Sequence, residues 1–357
     1  MNRTNHAANP VDQPGAARWT LHPAAHFERF AADWNALART SGATPALASA
    51  FVAPLLEFFA DPRAVLACCR DGADPQATPL AMGVLTPAGP GWSTLQPAQA
   101  PLGLWLQLPG LDTGLLLRGL LRALPGWPAL VALTQLDPDL LARPSDTGGL
   151  RTLDYIETAR VTLRGDFDAY WQARGKNLRA NLKKQRARLE RDGVALRLEA
   201  VRDPAAIEAA VADYARLEAA GWKAGGGTAV APGDRQSRFY EAMLRAFARQ
   251  DGACAWRYWY GDRVAAMDLC IEDQGCLIVL KTTYDEALAE GSSPALLMRE
   301  EATRALFDSG RYARIEFYGR VMEWHLRWTQ EIRLLYHVNY YRWPLLARAH
   351  AALRARA

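Results

Sequence analysis

The sequence predicts an α/β (α+β) protein with two similar halves in tandem, each with a mixed, mostly antiparallel central sheet flanked by helices. The chain has 357 residues, which exceeds the length at which one hydrophobic core usually stops growing. Its apolar residues follow the two-residue period of strands in some segments and helical spacing in others. Each half repeats one order of elements: antiparallel strands, a loop, a sharply started helix and a strand. This order is typical of a duplicated domain.

The first half is predicted to run strand, two helices, two paired strands, helix and strand. Phe27, Phe30, Trp34 and Leu37 recur at helical spacing and predict the first helix. Asp112 opens the third helix, and a Pro-Gly-Trp-Pro break ends it. The predicted segments are 18–21, 26–40, 51–60, 65–69, 80–86, 115–124 and 129–136.

The second half begins with a strand, and Asp166 then caps one long basic helix that Gly193 ends. Pro204 begins a further helix, and tight turns join three successive strands into an antiparallel set. The predicted strands are 156–163, 195–201, 253–260, 264–271, 275–284, 313–319 and 332–342, and the predicted helices are 167–191, 204–220, 239–250 and 294–309, with a short helix near Trp324.

Polar and small residues mark the expected domain limits. Residues 1–17 contain no apolar core and are expected to form a disordered tail rather than a secretory signal. The run from Ser145 to Gly149 is the best linker candidate. We therefore predict a first domain over 18–150 that is a degenerate copy of the second, a second domain over 151–345 and a helical tail over 346–357.

Composition excludes several classes of protein. A net charge of +4 is too small to indicate a nucleic-acid binder, and no window is apolar enough to span a membrane. The five cysteines are an odd number without Cys-x-x-Cys spacing, so buried thiols are favoured over disulfides or a metal site. These features predict a cytoplasmic protein without a metal.

The most informative stretch runs from Glu290 to Gly310, directly after an apolar strand. Ser293 occupies an N-cap position, Pro294 the first helical turn and Gly310 the C-terminal end. A helix that starts sharply after a small-residue loop presents free N–H groups, which suit a pyrophosphate. An ordinary strand–helix connection would give the same pattern.

The order and content of residues Asp166 to Trp343 resemble the GNAT acyltransferase superfamily, in its two-domain branch of FemAB-like and CelD-like proteins. The resemblance rests on the basic helix RGKNLRANLKKQRARLERDG, on Trp222–Lys223, on TTYDEALAEGSSPALLM and on FDSGRYARIEFYGR. It implies transfer of an acyl group, such as acetyl from acetyl-CoA, to an amine. In FemAB-type members it implies aminoacyl-tRNA as the donor.

The resemblance also implies a donor site. Two central strands splay apart around the pantetheine arm, and loop amides hold the pyrophosphate at the helix start. Here that loop comprises Glu290, Gly291, Ser292, Ser293, Pro294 and Ala295. The loop departs from the common GNAT pattern of Gln or Arg before two glycines, and serine hydroxyls are expected to replace some backbone donors.

Three residues are the candidates for catalysis. Strand alternation places Glu316 and Tyr318 on one face and Ile315 and Phe317 on the other, so Glu316 is the candidate base and Tyr318 the candidate acid. Asp285 matches the Tyr–Asp step of the family and is expected to bind the acceptor amine. The alternatives are a solvent-facing Glu, an amphipathic Tyr and a simple turn at Asp285.

Six residues are expected to contact the substrates: Trp222, Lys223, Asp268, Lys281, Tyr284 and His325. Asp268 lies inside an apolar strand and needs either a charged partner, for which Lys281 is the candidate, or a place in the cleft. His325 follows Trp324 where relatives often carry Tyr–Lys. Trp222 could instead be a core residue and Lys223 a surface one.

The basic helix places Lys176, Arg179, Lys183 and Arg186 at steps of three and four residues, with leucines on another face. A solvated face, a surface for an acidic partner or membrane headgroups, and a tRNA cradle are the three interpretations. The sequence therefore predicts an N-acyltransferase for a small-molecule, glycan or peptide amine. Two alternatives remain, an aminoacyl-tRNA-dependent transferase and a non-catalytic protein of envelope or exopolysaccharide synthesis.

Overall fold

The computed structural model describes residues 17–72, 74, 77–220, 230–288 and 291–354. The strands are β1 (Ala17–Pro23), β2 (Val65–Asp71), β3 (Pro79–Ala88), β4 (Gly91–Thr94), β5 (Trp105–Gln107), β6 (Leu130–Leu136), β7 (Leu150–Thr162), β8 (Leu196–Val201), β9 (Ala253–Tyr260), β10 (Arg263–Asp273), β11 (Cys276–Tyr284), β12 (Arg314–Phe317) and β13 (Glu331–Tyr341). The α-helices are α1 (Ala31–Thr40), α2 (Ser49–Phe59), α3 (Thr113–Ala123), α4 (Phe167–Gln172), α5 (Lys176–Arg191), α6 (Pro204–Ala219), α7 (Arg235–Ala248), α8 (Pro294–Ser309), α9 (Glu323–Trp328) and α10 (Pro344–Arg354).

All of these strands join in one sheet with the order β1-β2-β3-β4-β6-β13-β7-β12-β11-β10-β9-β8, and β5 pairs with β3. The predicted α/β class with a mostly antiparallel sheet is confirmed. The two halves do not carry separate sheets, however, because β13 pairs antiparallel with both β6 and β7. The last strand of the chain therefore joins the halves at the centre of the sheet, and the predicted limit at residue 150 stays a prediction.

Parallel pairing occurs at corresponding places in the two halves. β4 pairs parallel with β6, and β11 pairs parallel with β12, whereas the remaining ladders are antiparallel. Each parallel pair is bridged by a crossover that contains a helix, α3 in the first half and α8 in the second. The predicted echo between the halves is thus present in the topology.

Local signals explain where most helices begin. The carboxylates of Asp112, Asp166, Asp203 and Asp234 each accept a hydrogen bond from a first-turn N–H, as an N-cap does. The single long helix predicted over 167–191 is wrong, because the chain breaks after Gln172 and restarts at Lys176. Gly175, at the start of α5, has extended backbone angles and offers no side-chain cap.

Helices cover both faces of the second half of the sheet. On the face that we call the α8 face, Leu178 and Leu182 of α5 and Leu297 of α8 pack on Leu277 and Phe317. On the opposite α6 face, buried residues of α6 and α7 share a core with α1 and α2. The rings of Phe51 and Phe239, from α2 and α7, meet edge to face at 5.8 Å, so the halves share one core across this face.

The five cysteines, Cys68, Cys69, Cys254, Cys270 and Cys276, are all buried and free of disulfides, as predicted. Burial raises the pKa of each thiol, which disfavours the reactive thiolate. Within the described residues, no helix has both the length and the apolar character needed to cross a membrane.

Candidate functional site

The sheet opens where β11 and β12 part. These strands pair only from Cys276 to Ile278, the last rung being Ile278 opposite Glu316. β12 ends at Phe317, whereas β11 continues to Tyr284 along its other neighbour, β10. On β11 the register shifts so that Leu280 has no partner on β10, which is a β-bulge. The expected gap between two central strands is therefore present.

A cleft of about 770 Å³ opens on the α8 face of this gap. Its walls are mainly apolar and include Leu280, Leu296, Phe317, Trp324 and Trp328. Tyr284, Ser292, Ser293, Pro294 and Ala295, which the sequence nominated, also line it. We call this the α8-side cleft. Its volume and its mainly apolar walls suit a flexible alkyl arm.

The start of α8 lies at the edge of this cleft. Ser293 takes the N-cap position and Pro294 the first turn, as predicted, although the Ser293 side chain makes no capping hydrogen bond. The Ser293 N–H donates to Oε1 of Gln185 at 2.8 Å, so one predicted donor is already engaged. The N–H groups of Ser292 and Ala295 have no acceptor among the described residues. Two main-chain donors thus remain for an anion.

The expectation that serine hydroxyls replace some backbone donors stays a prediction, and the Ser292 hydroxyl is already engaged within the loop. The Ser292 Oγ donates to the carbonyl oxygen of Leu288 at 2.8 Å and lies 3.3 Å from the hydroxyl of Tyr260. The Ser292 proton therefore stabilises the loop itself. The Ser293 hydroxyl remains available at the cleft.

A cation that the sequence did not nominate lies over the loop. Gly291 has a φ of +75°, and a Cβ built on it would lie 2.2 Å from Nη1 of Arg188. The Arg188 guanidinium from α5 is therefore packed directly on the Gly291 backbone, which only glycine permits. Among the described residues, its one ion pair is a loose contact of 3.6 Å with the exposed Asp192. The loop thus combines free N–H groups with a positive charge.

Asp268 finds its partner on α8, not on β11. Its Oδ2 lies 2.6 Å from Nη1 of Arg299, and its Oδ1 accepts from the hydroxyl of Thr282 at 2.6 Å. Both charged side chains are buried, and burial raises the pKa of Asp268 against the opposing effect of Arg299. The predicted pairing of Asp268 with Lys281 is wrong. The observed pair instead ties α8 to β10 beneath the cleft.

Lys281 pairs with another buried carboxylate. Its Nζ lies 3.6 Å from Oε2 of Glu218 on α6, and Glu218 also accepts from Tyr214 and from the Val230 N–H. Lys281 still borders the gap, because it lines the cleft on either face of the sheet. Its predicted place near the substrates fits the geometry.

His325 is held rigidly at the wall of the α8-side cleft. Its ring stacks on Trp324 at 3.6 Å and meets Phe317 edge to face at 5.4 Å. Its Nδ1 accepts from the Met322 N–H at 3.0 Å, so the proton of the neutral ring lies on Nε2. Burial and the positive charge of Arg299 lower the pKa of His325 to about 4. His325 is therefore a neutral hydrogen-bond donor at this position.

A second cleft, of about 680 Å³, opens on the α6 face of the same gap and is called the α6-side cleft. Residues that line both clefts are Val279, Leu280, Lys281, Gly319 and Arg320. The two clefts therefore meet where β11 and β12 diverge.

Neutral polar side chains from both halves line the α6-side cleft. Gln99 from the first half donates to Oε1 of Gln236 on α7 at 3.1 Å, and Gln135 donates to the hydroxyl of Tyr155 at 2.9 Å. Gln135 also has a φ of +46°, a strained value for a residue with a side chain. Tyr240 completes this wall. None of the described residues that line the cleft is a carboxylate.

Glu316 and Tyr318 share the α6 face of β12, as alternation predicted. Glu316 is 2% exposed, and its carboxylate lies 2.7 Å from Nη2 of Arg333 and 3.1 Å from Nε of Arg314. Tyr318 donates to Asp137 at 3.1 Å, and burial raises its pKa well above the usual value. Burial also raises the pKa of Glu316. The base and acid roles stay predictions that this geometry does not favour, because both groups are engaged in a buried ion network.

Asp285 lies away from both clefts. Its Oδ1 accepts from the Ala287 N–H at 2.9 Å and its Oδ2 lies 2.7 Å from Nη2 of Arg263. This is the turn that the sequence offered as the alternative, so its role toward the acceptor stays a prediction without geometric support. Glu290, Trp222 and Lys223 lie outside the described residues.

The sequence analysis did not nominate several residues that the structure places at the site. In the sequence, Arg188 and Arg299 resemble ordinary surface residues of helices. The sequence does not show which strand or loop each of them contacts. Gln99, Gln135 and Gln236 of the α6-side cleft come from three separate segments and have no common motif. Asp268 was the one useful signal. A carboxylate inside an apolar strand predicts that a cationic side chain lies nearby.

Comparison with known proteins gives one family and several structures of the same fold. Residues 176–326 match the model of the acetyltransferase (GNAT) domain. FemX is 9% identical, with 87% of this chain and 96% of that chain covered and a TM-score of 0.54. L-PGS from Bacillus licheniformis is 15% identical, with 91% and 97% covered and a TM-score of 0.51. A conserved protein of unknown function from Bacteroides thetaiotaomicron VPI-5482 is 10% identical, with 87% and 97% covered and a TM-score of 0.53. Among curated proteins, none matches the chain.

Proposed function

We propose that this chain, whose residues 176–326 match the acetyltransferase (GNAT) domain and whose fold resembles that of FemX, is an N-acyltransferase that moves an acyl group from acyl-CoA to an amine. One observation carries this proposal: the gap between β11 and β12 opens on both faces, beside a helix start with unpaired N–H groups. That arrangement brings an anionic carrier and an acceptor together from opposite sides of one sheet.

The donor would lie in the α8-side cleft. Its pyrophosphate would meet the N–H groups of Ser292 and Ala295 and the Arg188 guanidinium, all of which favour negative charge. The apolar walls formed by Leu280, Phe317 and Trp328 suit the pantetheine arm. The thioester would then lie near the divergence of the strands.

Transfer needs an aligned amine and a polarised carbonyl. The neutral amine attacks the thioester carbon, a C–N bond forms, the C–S bond breaks, the ammonium proton passes to water and the CoA thiolate takes up a proton. His325 would donate its Nε2–H to the carbonyl oxygen as negative charge develops there. A neutral ring serves here because its Nε2 proton is present throughout the physiological pH range.

The acceptor would enter through the α6-side cleft. Amide and phenol groups there pair with hydroxyl or amide groups of a ligand, whereas a polycation would find no carboxylate among the described lining residues. We therefore propose an acceptor whose amine sits on a neutral or anionic polar molecule, such as an amino sugar or a peptide.

Calorimetry with acetyl-CoA and with a longer acyl-CoA tests the donor assignment. We expect saturable binding, and Arg188→Ala should weaken it by about tenfold, since a charged hydrogen bond contributes about 1.5–3 kcal/mol. Arg191→Ala is the matched control, because Arg191 is exposed on the same helix. Absence of acyl-CoA binding by the wild-type protein would contradict the proposal.

Histidine variants test the chemistry. Gln at position 325 can place an amide N–H near the former Nε2, whereas Asn places its amide near Nδ1. His325→Gln should keep much of the turnover, and His325→Asn should lose about a hundredfold, the usual effect of losing one oxyanion donor. Equal turnover in both variants would exclude this role for His325.

An aminoacyl-tRNA donor is the second candidate. The exposed cations Lys176, Lys183 and Lys184 of α5 lie on the helix that also supplies Arg188 to the loop. Binding of tRNA that weakens steeply with salt, together with no binding of acyl-CoA, would favour that donor. Binding of neither ligand would favour a non-catalytic protein of envelope or exopolysaccharide synthesis.

A further inference from the structure

Two tryptophans and two leucines, none of which lines either cleft, form an exposed apolar corner. Trp127, before β6, is 73% exposed, and Trp343, before α10, is 44% exposed. Leu345 is 73% exposed and Leu346 is 38% exposed in the first turn of α10. We call these four residues the tryptophan corner. Single exposed apolar residues are normal, but four large ones together mark an interaction surface.

The corner is built to hold Trp127 outward. Trp127 has a φ of +55°, which is costly for a bulky residue and persists only where neighbouring contacts impose it. The Arg342 guanidinium lies 4.9 Å from the centre of the Trp127 ring and donates to the carbonyl oxygens of Pro128 and Leu121. The Trp127 and Trp343 rings meet edge to face at 5.9 Å. A strained, braced and exposed indole is not explained by the stability of the fold.

The surrounding sequence has one sign of charge. Residues 113–136 and 332–354, which cover α3, β6, α10 and all of β13 except its first residue, Glu331, contain arginines but no aspartate or glutamate. Arg122 ends α3 close in sequence to Trp127, and Arg348 is exposed one helical turn after Leu345. The segments that carry the corner therefore combine exposed apolar side chains with arginines.

We propose that the tryptophan corner docks the protein on an anionic lipid surface. Indole rings prefer the boundary between headgroups and acyl chains, because each has an apolar body and one N–H donor. Exposed leucines add apolar burial, and arginines attract anionic headgroups at the same depth. An apolar groove on a partner protein would bury the tryptophans and leucines but would give the arginines no anionic partner. The bilayer supplies both the apolar layer and the negative charge.

Flotation with vesicles tests the proposal on the full-length wild-type chain. We expect binding to vesicles of phosphatidylglycerol and phosphatidylcholine, weak binding to phosphatidylcholine alone, and a decrease with added salt. The double variant Trp127→Asn and Leu345→Gln should bind at least about tenfold more weakly, because two apolar side chains that would enter the bilayer are replaced by polar ones. Asn suits the left-handed backbone at position 127, so the fold should be retained.

The matched control is Leu326→Gln, which changes a leucine that is 55% exposed on α9. Loss of anionic-vesicle binding in the double variant and its retention in Leu326→Gln would support the proposal, provided that both variants unfold at the wild-type urea concentration. Three results would overturn it: no flotation of the wild-type chain, equal flotation of the double variant, or a wild-type dimer that the double variant disrupts without any vesicle binding. The last result would assign the corner to self-association.

Discussion

Replacing Asp268 with Asn should destabilise the protein strongly, because it leaves the buried charge of Arg299 without a counterion. Asp268 is fully buried and Arg299 is 5% exposed, and their closest N and O atoms are 2.6 Å apart. Among the described residues, no other carboxylate lies within ion-pairing distance of Arg299, and its remaining polar contact is the Thr282 hydroxyl at 3.1 Å. The amide of Asn preserves the shape and removes only the charge.

The magnitude follows from the burial of both groups. Breaking a buried ion pair on one side costs about 3–5 kcal/mol, because the desolvated partner stays charged. The double variant Asp268→Asn and Arg299→Met removes both charges and should recover most of that loss. A cycle of the four proteins would therefore show a coupling free energy of about 2 kcal/mol or more.

Urea unfolding at pH 7 measures these differences. Asp33→Asn is the matched control, because Asp33 also lies 2.6 Å from an arginine, Arg70, but its side chain is 43% exposed. An exposed pair should contribute less than about 1 kcal/mol. If Asp268→Asn lowers the free energy of unfolding no more than Asp33→Asn does, the buried pair between Asp268 and Arg299 does not hold α8 on β10.

Three further predictions concern the site. The pKa of His325 is lowered to about 4, so the unfolded chain takes up a proton near pH 6.5 that the folded chain refuses. The stability contributed by the neutral ring is therefore fully present above pH 6.5 and is lost as the pH falls toward 4. Between pH 7 and pH 4.5, the free energy of unfolding of the wild type, measured with urea, should fall by about 2 kcal/mol more than that of His325→Gln. Glu316→Gln should lower the free energy of unfolding by about 3 kcal/mol but reduce kcat by less than about fivefold, whereas loss of a true general base would reduce kcat by about a hundredfold or more. Gly291→Ala should weaken acyl-CoA binding measured by calorimetry by about tenfold, since a Cβ there strains the backbone and displaces Arg188, and unchanged affinity would exclude that loop as the pyrophosphate site.

Much of the fold could be predicted because its signals are local. Asp112, Asp166 and Pro204 announce helix starts, and the tight turns at Gly261 and Gly275 announce antiparallel strands. The fusion of the halves through β13 could not be predicted. Its partners β6 and β7 lie about two hundred residues earlier in the chain, and nothing in an alternating strand specifies which neighbour it meets.

The site was predictable where sequence order also fixes spatial order. The loop before α8 necessarily lies at the end of β11. The sequence could therefore place Ser293 and Ala295 at the end of this strand, where they line the α8-side cleft. Glu316 was placed on the correct face but assigned a role that required an open environment, and Arg333 occupies that environment from β13. A strand pattern gives the direction of a side chain, whereas its partners depend on the tertiary structure.

The central position of β13 has a consequence for biosynthesis. As the polypeptide leaves the ribosome, β6 and β7 emerge long before the segment that separates them in the finished sheet. Until residues 331–341 are synthesised, both strands expose main-chain edges at the middle of the molecule, where foreign strands could pair with them. The sheet of either half is therefore completed only after β13 has been synthesised and has inserted between β6 and β7.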